Sequence, residues 1–258
     1  MNCEIDNENN LLTFNKLNSE NIINTVTLKP YNFNANMVSE EEIQEQFNKL
    51  KIKLGAENKI IKSAIQTHTN IVKKVTRENI NEEFTNVDGL VTNLKDVLLI
   101  TRLADCQGIL LYDSEKQVIG NVHSGWKGTL NKIIENAVKL MENEYNSKPE
   151  NIQAYIVPSI LKCCFEVDED IKNMFLNKFQ DIKISELITK GKMKEGKQKY
   201  YIDTVEINKR VMMKLGIKEE NIILSNICTK CNSELFHSYR KEKERSGRHI
   251  AIIGIKEN

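Results

Sequence analysis

The chain has 258 residues, 40% of them hydrophobic and only 6% aromatic, so it can build a sizeable core that must consist mainly of Ile, Leu and Val. Its 37 basic and 36 acidic residues leave a net charge of +1, which argues against nucleic-acid and membrane-surface partners. No apolar run approaches the roughly 20 residues that span a bilayer, and six cysteines point to thiols in a reducing, cytoplasmic setting rather than to a disulfide framework.

Residues 1–10 are acidic and rich in Asn, the composition of a loose tail and not of a signal peptide. With no internal repeat and no Pro/Gly/Ser-rich linker, residues 11–258 read as a single domain. Ser39-Glu40-Glu41-Glu42 is a capping box that opens a helix. Ile43, Phe47, Leu50 and Leu54 lie on one face of it, and Gly55 stops it. From Lys59 the period shortens, and strands are predicted over 60–65, 71–75, 97–101, 108–112 and 117–122, with turns such as Asp88-Gly89 and Asp113-Ser114 between them. A long amphipathic helix is expected from near Gly128, with Leu130, Ile133, Ile134, Ala137, Val138 and Met141 facing inward. A strand over 152–157, helices over 169–179 and 204–215, and strands over 221–225 and 249–255 complete the pattern. Strands cluster before helices as often as they alternate with them, which favours α+β with mixed sheets in a single domain.

Three segments carry chemistry. Ala104-Asp105-Cys106 lies between two apolar runs, where a cysteine often serves as a small buried hydrophobe. The adjacent acid is out of place there unless paired. His123 ends an apolar run and opens His123-Ser124-Gly125-Trp126-Lys127-Gly128, whose glycines permit a tight turn and close approach to the backbone. His68 sits in the loop-like Gln66-Thr67-His68-Thr69-Asn70. Singly, each histidine also reads as a surface or loop residue. Together, His68, Cys106 and His123 supply three of zinc's usual four ligands and leave one position open, as in catalytic rather than structural sites.

Cys228-Thr229-Lys230-Cys231 is a lone CxxC, and a structural zinc needs a second pair. Cys163-Cys164 is the nearest candidate, but adjacent residues on a strand point to opposite faces, which argues against a joint site. Near the C-terminus, Ser238-Tyr239-Arg240 and Ser246-Gly247-Arg248 flank a run of alternating charge. That run reads either as a solvated face or as an anion site held by Arg240 and Arg248.

Taken in order, Gln66-Thr67-His68, Asp88-Gly89-Leu90-Val91-Thr92, Ala104-Asp105-Cys106, His123-Ser124-Gly125-Trp126-Lys127-Gly128, Pro158-Ser159-Ile160, Phe165-Glu166-Val167, Cys228-Thr229, Ser238-Tyr239-Arg240 and Ser246-Gly247-Arg248 form a pattern. It resembles the laccase-domain family once named multicopper polyphenol oxidases and understood as purine nucleoside phosphorylases with adenosine deaminase activity. The resemblance implies an α+β fold similar to that of toxin deamidases, which are cysteine hydrolases. It implies zinc, with copper as the alternative, on His68, Cys106 and His123. It also implies that purine nucleosides (adenosine, inosine, methylthioadenosine) and phosphate are the substrates. Asp105 and Glu166 are the candidates for proton transfer beside Cys106 and His123. Arg240, Arg248 and Lys127 are the candidates for holding phosphate, and a monomer is the expected state. The chain departs from the family where Leu12-Thr13-Phe14-Asn15-Lys16 replaces an arginine-bearing segment and where Gln107 follows Cys106 in place of proline. Two other readings stay open: a metal-free hydrolase or deamidase with Cys106 as nucleophile and His123 as base, and a metal-binding partner protein without turnover. An oxidase with several coppers needs more histidine ligands than the four present.

Overall fold

In the computed structural model, which describes residues 2–16 and 19–256, the strands Val97–Leu103 and Gln107–Asp113 each serve two cores at once. Along the first, Val97, Leu99 and Leu103 face one apolar cluster while Leu98 and Ile100 face another. Along the second, Leu110 and Tyr112 join the cluster of Leu99, while Ile109 and Leu111 pack against helices. Successive strand side chains point to opposite faces, so a continuous apolar run is what a sheet covered on both sides requires.

The two strands belong to different six-stranded sheets. The first sheet runs Cys3–Asp6, Leu11–Phe14, Ile22–Thr27, His249–Ile255, Val97–Leu103, Ile60–Lys62. The second runs Ile222–Leu224, Ile152–Ile156, Gln107–Asp113, Val118–Ser124, Gly89–Thr92, Val72–Lys74. Both are mainly antiparallel, with parallel pairs at Ile60–Lys62 in the first and at both outer strands of the second. Their inner faces share one apolar cluster, in which Phe14, Val26, Leu99 and Ala251 from the first meet Leu110, Tyr112, Ile119 and Tyr155 from the second. The helix Glu40–Lys53 covers the outer face of the first sheet through Ile43, Phe47 and Leu50. The helices Ile133–Tyr145, Glu169–Lys178 and Thr204–Lys214 cover the outer face of the second. The result is a single α+β domain in four layers, helix, sheet, sheet and helix. A polar link crosses the inner core: Asn121 accepts from Thr101 Oγ1 (2.8 Å) and donates to the carbonyls of Leu99 and Ala251 (2.9 Å each).

Several expectations change. Within the stretch 1–10 expected to be a loose tail, Cys3–Asp6 forms a strand paired with Leu11–Phe14, because Cys3 and Leu12 have the inter-sheet core to enter. Met1, Leu17, Asn18, Glu257 and Asn258 lie outside the described residues. The long helix expected from Gly128 is two: a short turn of helix at Trp126–Leu130, then Ile133–Tyr145 after Lys132 takes a left-handed conformation. A three-stranded sheet of Glu166–Val167, Lys197–Ile202 and Ile188–Lys194 was not expected from the sequence. The capping box at Ser39 is present in full, and Gly55 ends that helix at φ +58. Among the described residues no helix is long and apolar enough to cross a membrane.

Leu99 is fully buried between the sheets. Leu99→Ala is therefore expected to lower the unfolding free energy by about 2–5 kcal/mol in a denaturant titration. A loss under about 1 kcal/mol would show that the two sheets do not pack as described.

Candidate metal centre and active site

Residues 104–106 are the crossing from the first sheet to the second. They connect Val97–Leu103 to Gln107–Asp113, and Asp105 makes the turn at φ +81, a conformation uncommon outside glycine. The crossing puts Cys106 at the rim where the sheets diverge. His123 arrives from the neighbouring strand, where its partner across the ladder is Gly108. His68 comes from the loop between Ala64–Ile65 and Val72–Lys74, also at positive φ (+63).

The three side chains converge. Cys106 Sγ lies 3.7 Å from His68 Nε2, the two imidazoles meet edge to face at 4.9 Å, and one donor atom from each of the three residues lies within 4.8 Å of the others. Tetrahedral zinc, with bonds of about 2.3 Å to sulfur and 2.0–2.1 Å to nitrogen, holds such donors roughly 3.3–3.6 Å apart. The donor set and its spacing fit one ion. His68 is exposed, Cys106 half-buried and His123 buried, so the cluster opens toward solvent on one side.

A buried acid organises the cluster. Asp88 Oδ1 accepts from His123 Nδ1 (2.7 Å) and from the His68 backbone N–H (3.0 Å). Its Oδ2 accepts from Thr69 N–H and Thr69 Oγ1 (2.7 Å each) and from Thr67 N–H (3.3 Å). With Nδ1 engaged, His123 presents Nε2 to the cluster, the usual arrangement of a metal-binding histidine backed by a carboxylate. Burial raises the Asp88 pKa, but the hydrogen bonds from His123 and Thr69 outweigh it and bring it down to about 2. Burial likewise disfavours the His123 cation, yet the Cys106 thiolate and Asp88 carry it up to about 9. The Cys106 thiol, pushed up by burial, is drawn down to about 6 by the His123 charge and by hydrogen bonds from both histidines. Gly125 has no room for a side chain. A Cβ there would stand 2.7 Å from the His68 ring and 3.2 Å from Cys106 Sγ.

Two concavities meet at His68 and Cys106. One, about 320 Å³, is lined by Trp126, Ile160, Phe165, Tyr239 and Arg240. The other, about 790 Å³, is lined by Gln66, Arg102, His123 and Arg248, with Glu40 and Glu83 also on its walls. The remaining expected site residues divide. Arg240 and Arg248 face the two cavities. Arg240 is held by Nη1 donating to the carbonyls of Cys164 (3.0 Å) and Glu166 (3.1 Å), and Arg248 by Nη1 donating to those of Ser246 (2.9 Å) and Gly247 (2.8 Å). Lys127 is exposed, sits over the Trp126 ring and lines neither cavity, because the turn of helix that carries it points it outward. Lys16 lines neither cavity.

Asp105 lines the smaller cavity beside Cys106, and Glu166 lines neither, and both carboxylates have hydrogen-bond partners. Asp105 Oδ1 accepts from Thr229 Oγ1 (2.7 Å) and Oδ2 from the Arg240 backbone N–H (2.6 Å), so its carboxylate is a structural tie between the crossing and the C-terminal segment. The Glu166 carboxylate accepts from Lys194 Nζ and Tyr201 Oη (2.8 Å each), and it lines neither cavity. Sequence reasoning gave no site role to Asp88 or Arg102. Asp88-Gly89 reads as a turn within the resembling pattern, and Arg102 falls just past the strand expected over 97–101. Their roles depend on which loops pack beside them.

The model of the family described as multi-copper polyphenol oxidoreductase laccase matches residues 26–256. A purine nucleoside phosphorylase, YlmD, of Bacillus subtilis (strain 168) is 33% identical over 201 residues, 75% of this chain and 70% of the relative. One from Borreliella burgdorferi is 33% identical over 219 residues, 84% of this chain and 86% of the relative. Among solved structures, the hypothetical protein YfiH of Bacillus licheniformis superposes with a TM-score of 0.85 at 24% identity, covering 98% of this chain and 99% of that one. YlmD from Geobacillus stearothermophilus superposes with a TM-score of 0.85 at 22% identity, covering 99% of each chain. These two share the fold.

Two outcomes are expected of this centre. Asp88→Asn, which removes the charge behind His123, should weaken zinc binding by about 10–100-fold in a chelator competition; unchanged affinity would show that the carboxylate does not support a metal ligand. In metal-stripped protein, alkylation of Cys106 should accelerate as pH rises through about 6, where an ordinary thiol needs about 8.5. A midpoint above 8 would show that His123 does not stabilise the thiolate.

Proposed function

The chain belongs to the multi-copper polyphenol oxidoreductase laccase family, and from that membership we propose that it is a purine nucleoside phosphorylase with a zinc site at His68, Cys106 and His123, and with adenosine deamination as a second reaction of the same cleft. Its relatives are named for phosphorolysis of purine nucleosides. The observation that carries the reading is the convergence of two imidazoles and a thiol, open on one side, between an aromatic cavity and an arginine-lined one. Its location is cytoplasmic in this reading.

In phosphorolysis a phosphate oxygen bonds to C1′ of the ribose, the C1′–N9 bond breaks, and the purine leaves with the electron pair and takes up a proton. The products are the free base and ribose 1-phosphate. Arg102 and Arg248 are the phosphate holders in this reading, since guanidinium groups give planar, charge-assisted recognition of phosphate. Trp126, Phe165 and Tyr239 offer aromatic faces for the base. Zinc, when bound, supplies a Lewis acid beside the reacting centre. Asp88 keeps His123 in one orientation, and Gly125 leaves the His68 ring its space. In deamination a water oxygen bonds to C6 of adenosine and the amino group leaves as ammonia, giving inosine.

One observation favours a second reading. Without metal, the low Cys106 pKa beside a raised His123 describes an ion pair of the kind that cysteine hydrolases use. That pair is also what supports the relation to toxin deamidases.

The test is incubation of the zinc-loaded protein with adenosine and phosphate. Adenine with ribose 1-phosphate is expected, along with some inosine. His123→Ala is expected to remove the zinc of this site and both products together, and zinc at the wild-type stoichiometry in that variant would overturn the assignment. Arg248→Ala is expected to raise the phosphate KM by roughly 10–100-fold, the value of a charge-assisted hydrogen bond. Stoichiometric alkylation of Cys106 in active protein that contains no metal would favour the cysteine-hydrolase reading.

A further inference from the structure

The second chemistry-bearing cluster lies outside the cavity beside the first. Cys163 and Cys164 fall in the turn 162–164, not on a strand, so the alternation that would separate them does not apply. Cys228-Thr229-Lys230-Cys231 forms a facing turn, tied to the segment after Ile152–Ile156 by a bridge between Ser159 and Cys228. The four sulfurs come together. Cys231 Sγ lies 3.5 Å from Cys164 Sγ and 3.9 Å from Cys163 Sγ, and all four lie within 4.8 Å of one another. Backbone hydrogen bonds from Leu161 and Cys231 fall on the Cys228 sulfur, as outer-shell donors do in thiolate metal sites.

We propose that Cys163, Cys164, Cys228 and Cys231 bind a second ion, a tetrahedral all-sulfur zinc, separate from the centre at His68, Cys106 and His123. The spacing selects this chemistry. Zinc–sulfur bonds of about 2.3 Å at tetrahedral angles put sulfurs about 3.8 Å apart, which the observed 3.5 and 3.9 Å bracket. Disulfides bring two sulfurs to about 2.05 Å and exclude the others. An iron–sulfur cluster spreads its cysteines over several irons and holds them farther apart. With all four positions taken by protein, the ion is structural and has no open site for substrate. It cross-links two turns that both reach the first centre. The Cys164 carbonyl holds the Arg240 guanidinium, and Thr229, between the paired cysteines, holds Asp105 beside Cys106. Binding leaves four thiolates on one Zn²⁺ and releases the thiol protons to solvent.

The test is metal counting on protein purified under reducing conditions and saturated with zinc. Two zinc ions per chain are expected in the wild type, one in Cys231→Ser, and one in His123→Ala. In the last variant, X-ray absorption at the zinc edge is expected to read four sulfur neighbours. A Cys231→Ser variant that binds as much zinc as the wild type, a His123→Ala variant that binds none, or iron in place of zinc overturns the proposal. If Cys231→Ser does not fold, the His123→Ala count and its sulfur neighbours decide. Cys163 and Cys231 are exposed, so iodoacetamide should label both in chelator-stripped protein and neither in zinc-saturated protein. Equal labelling of both forms overturns the proposal.

Discussion

The Asp88 carboxylate is the constraint on which the candidate centre depends. One buried side chain receives the His123 ring, the His68 backbone, and the backbone and hydroxyl of Thr69. Its carbonyl also accepts from the His123 N–H at 2.7 Å. A buried carboxylate left without partners carries a large desolvation cost. Here every partner belongs to a segment that must meet the others for the site to exist. The acid therefore binds a loop, a strand end and a ring orientation into one unit, and its own ionisation depends on that assembly.

The four-layer architecture places the unit. A chain that leaves one sheet at Leu103 and enters the next at Gln107 has only three residues to turn in, and Asp105 takes a positive φ to do so. The turn is held from outside by Thr229 and Arg240, and from below by a buried polar network. In that network Gln107 donates to Thr204 Oγ1 (2.9 Å), while Asn208 lies within hydrogen-bonding reach of Gln107, Ser124 and Thr129. Gln107 stands where the resembling family has proline. Its amide is what connects the cysteine strand to the helix Thr204–Lys214. The Gln107 amide and the Asn208 N–H groups, buried this deeply, hold a single geometry because each has a partner to lose.

The two cysteine-bearing clusters differ in the way that separates function from support. The first has three donors of mixed type, a carboxylate behind one histidine, and cavities on its open side. The second has four sulfurs and no free corner. They are linked through Thr229 and Asp105, so order in the supporting cluster is transmitted to the turn that carries Cys106.

Much of the architecture could be read from local pattern. The capping box at Ser39, the strand at 249–255 and the helices near 169–179 and 204–215 declare themselves through spacing, since helix caps and side-chain periodicity are short-range. The N-terminal strands did not, because Cys3–Asp6 and Leu11–Phe14 are four residues each, too short to display a period, and become strands by pairing with each other and with Ile22–Thr27. His68, Cys106 and His123 were legible as residue types suited to a metal. Their meeting point was not, and neither was Asp88, which reads as half of a turn. By itself the sequence determined the longer helices, the longer apolar strands and which side chains can ligate, for these are set within a few residues. Only the tertiary structure decided that a loop, a sheet crossing and a strand end share one carboxylate, and that two cysteine turns face each other. Those are contacts between segments far apart in the chain, and no local periodicity encodes them.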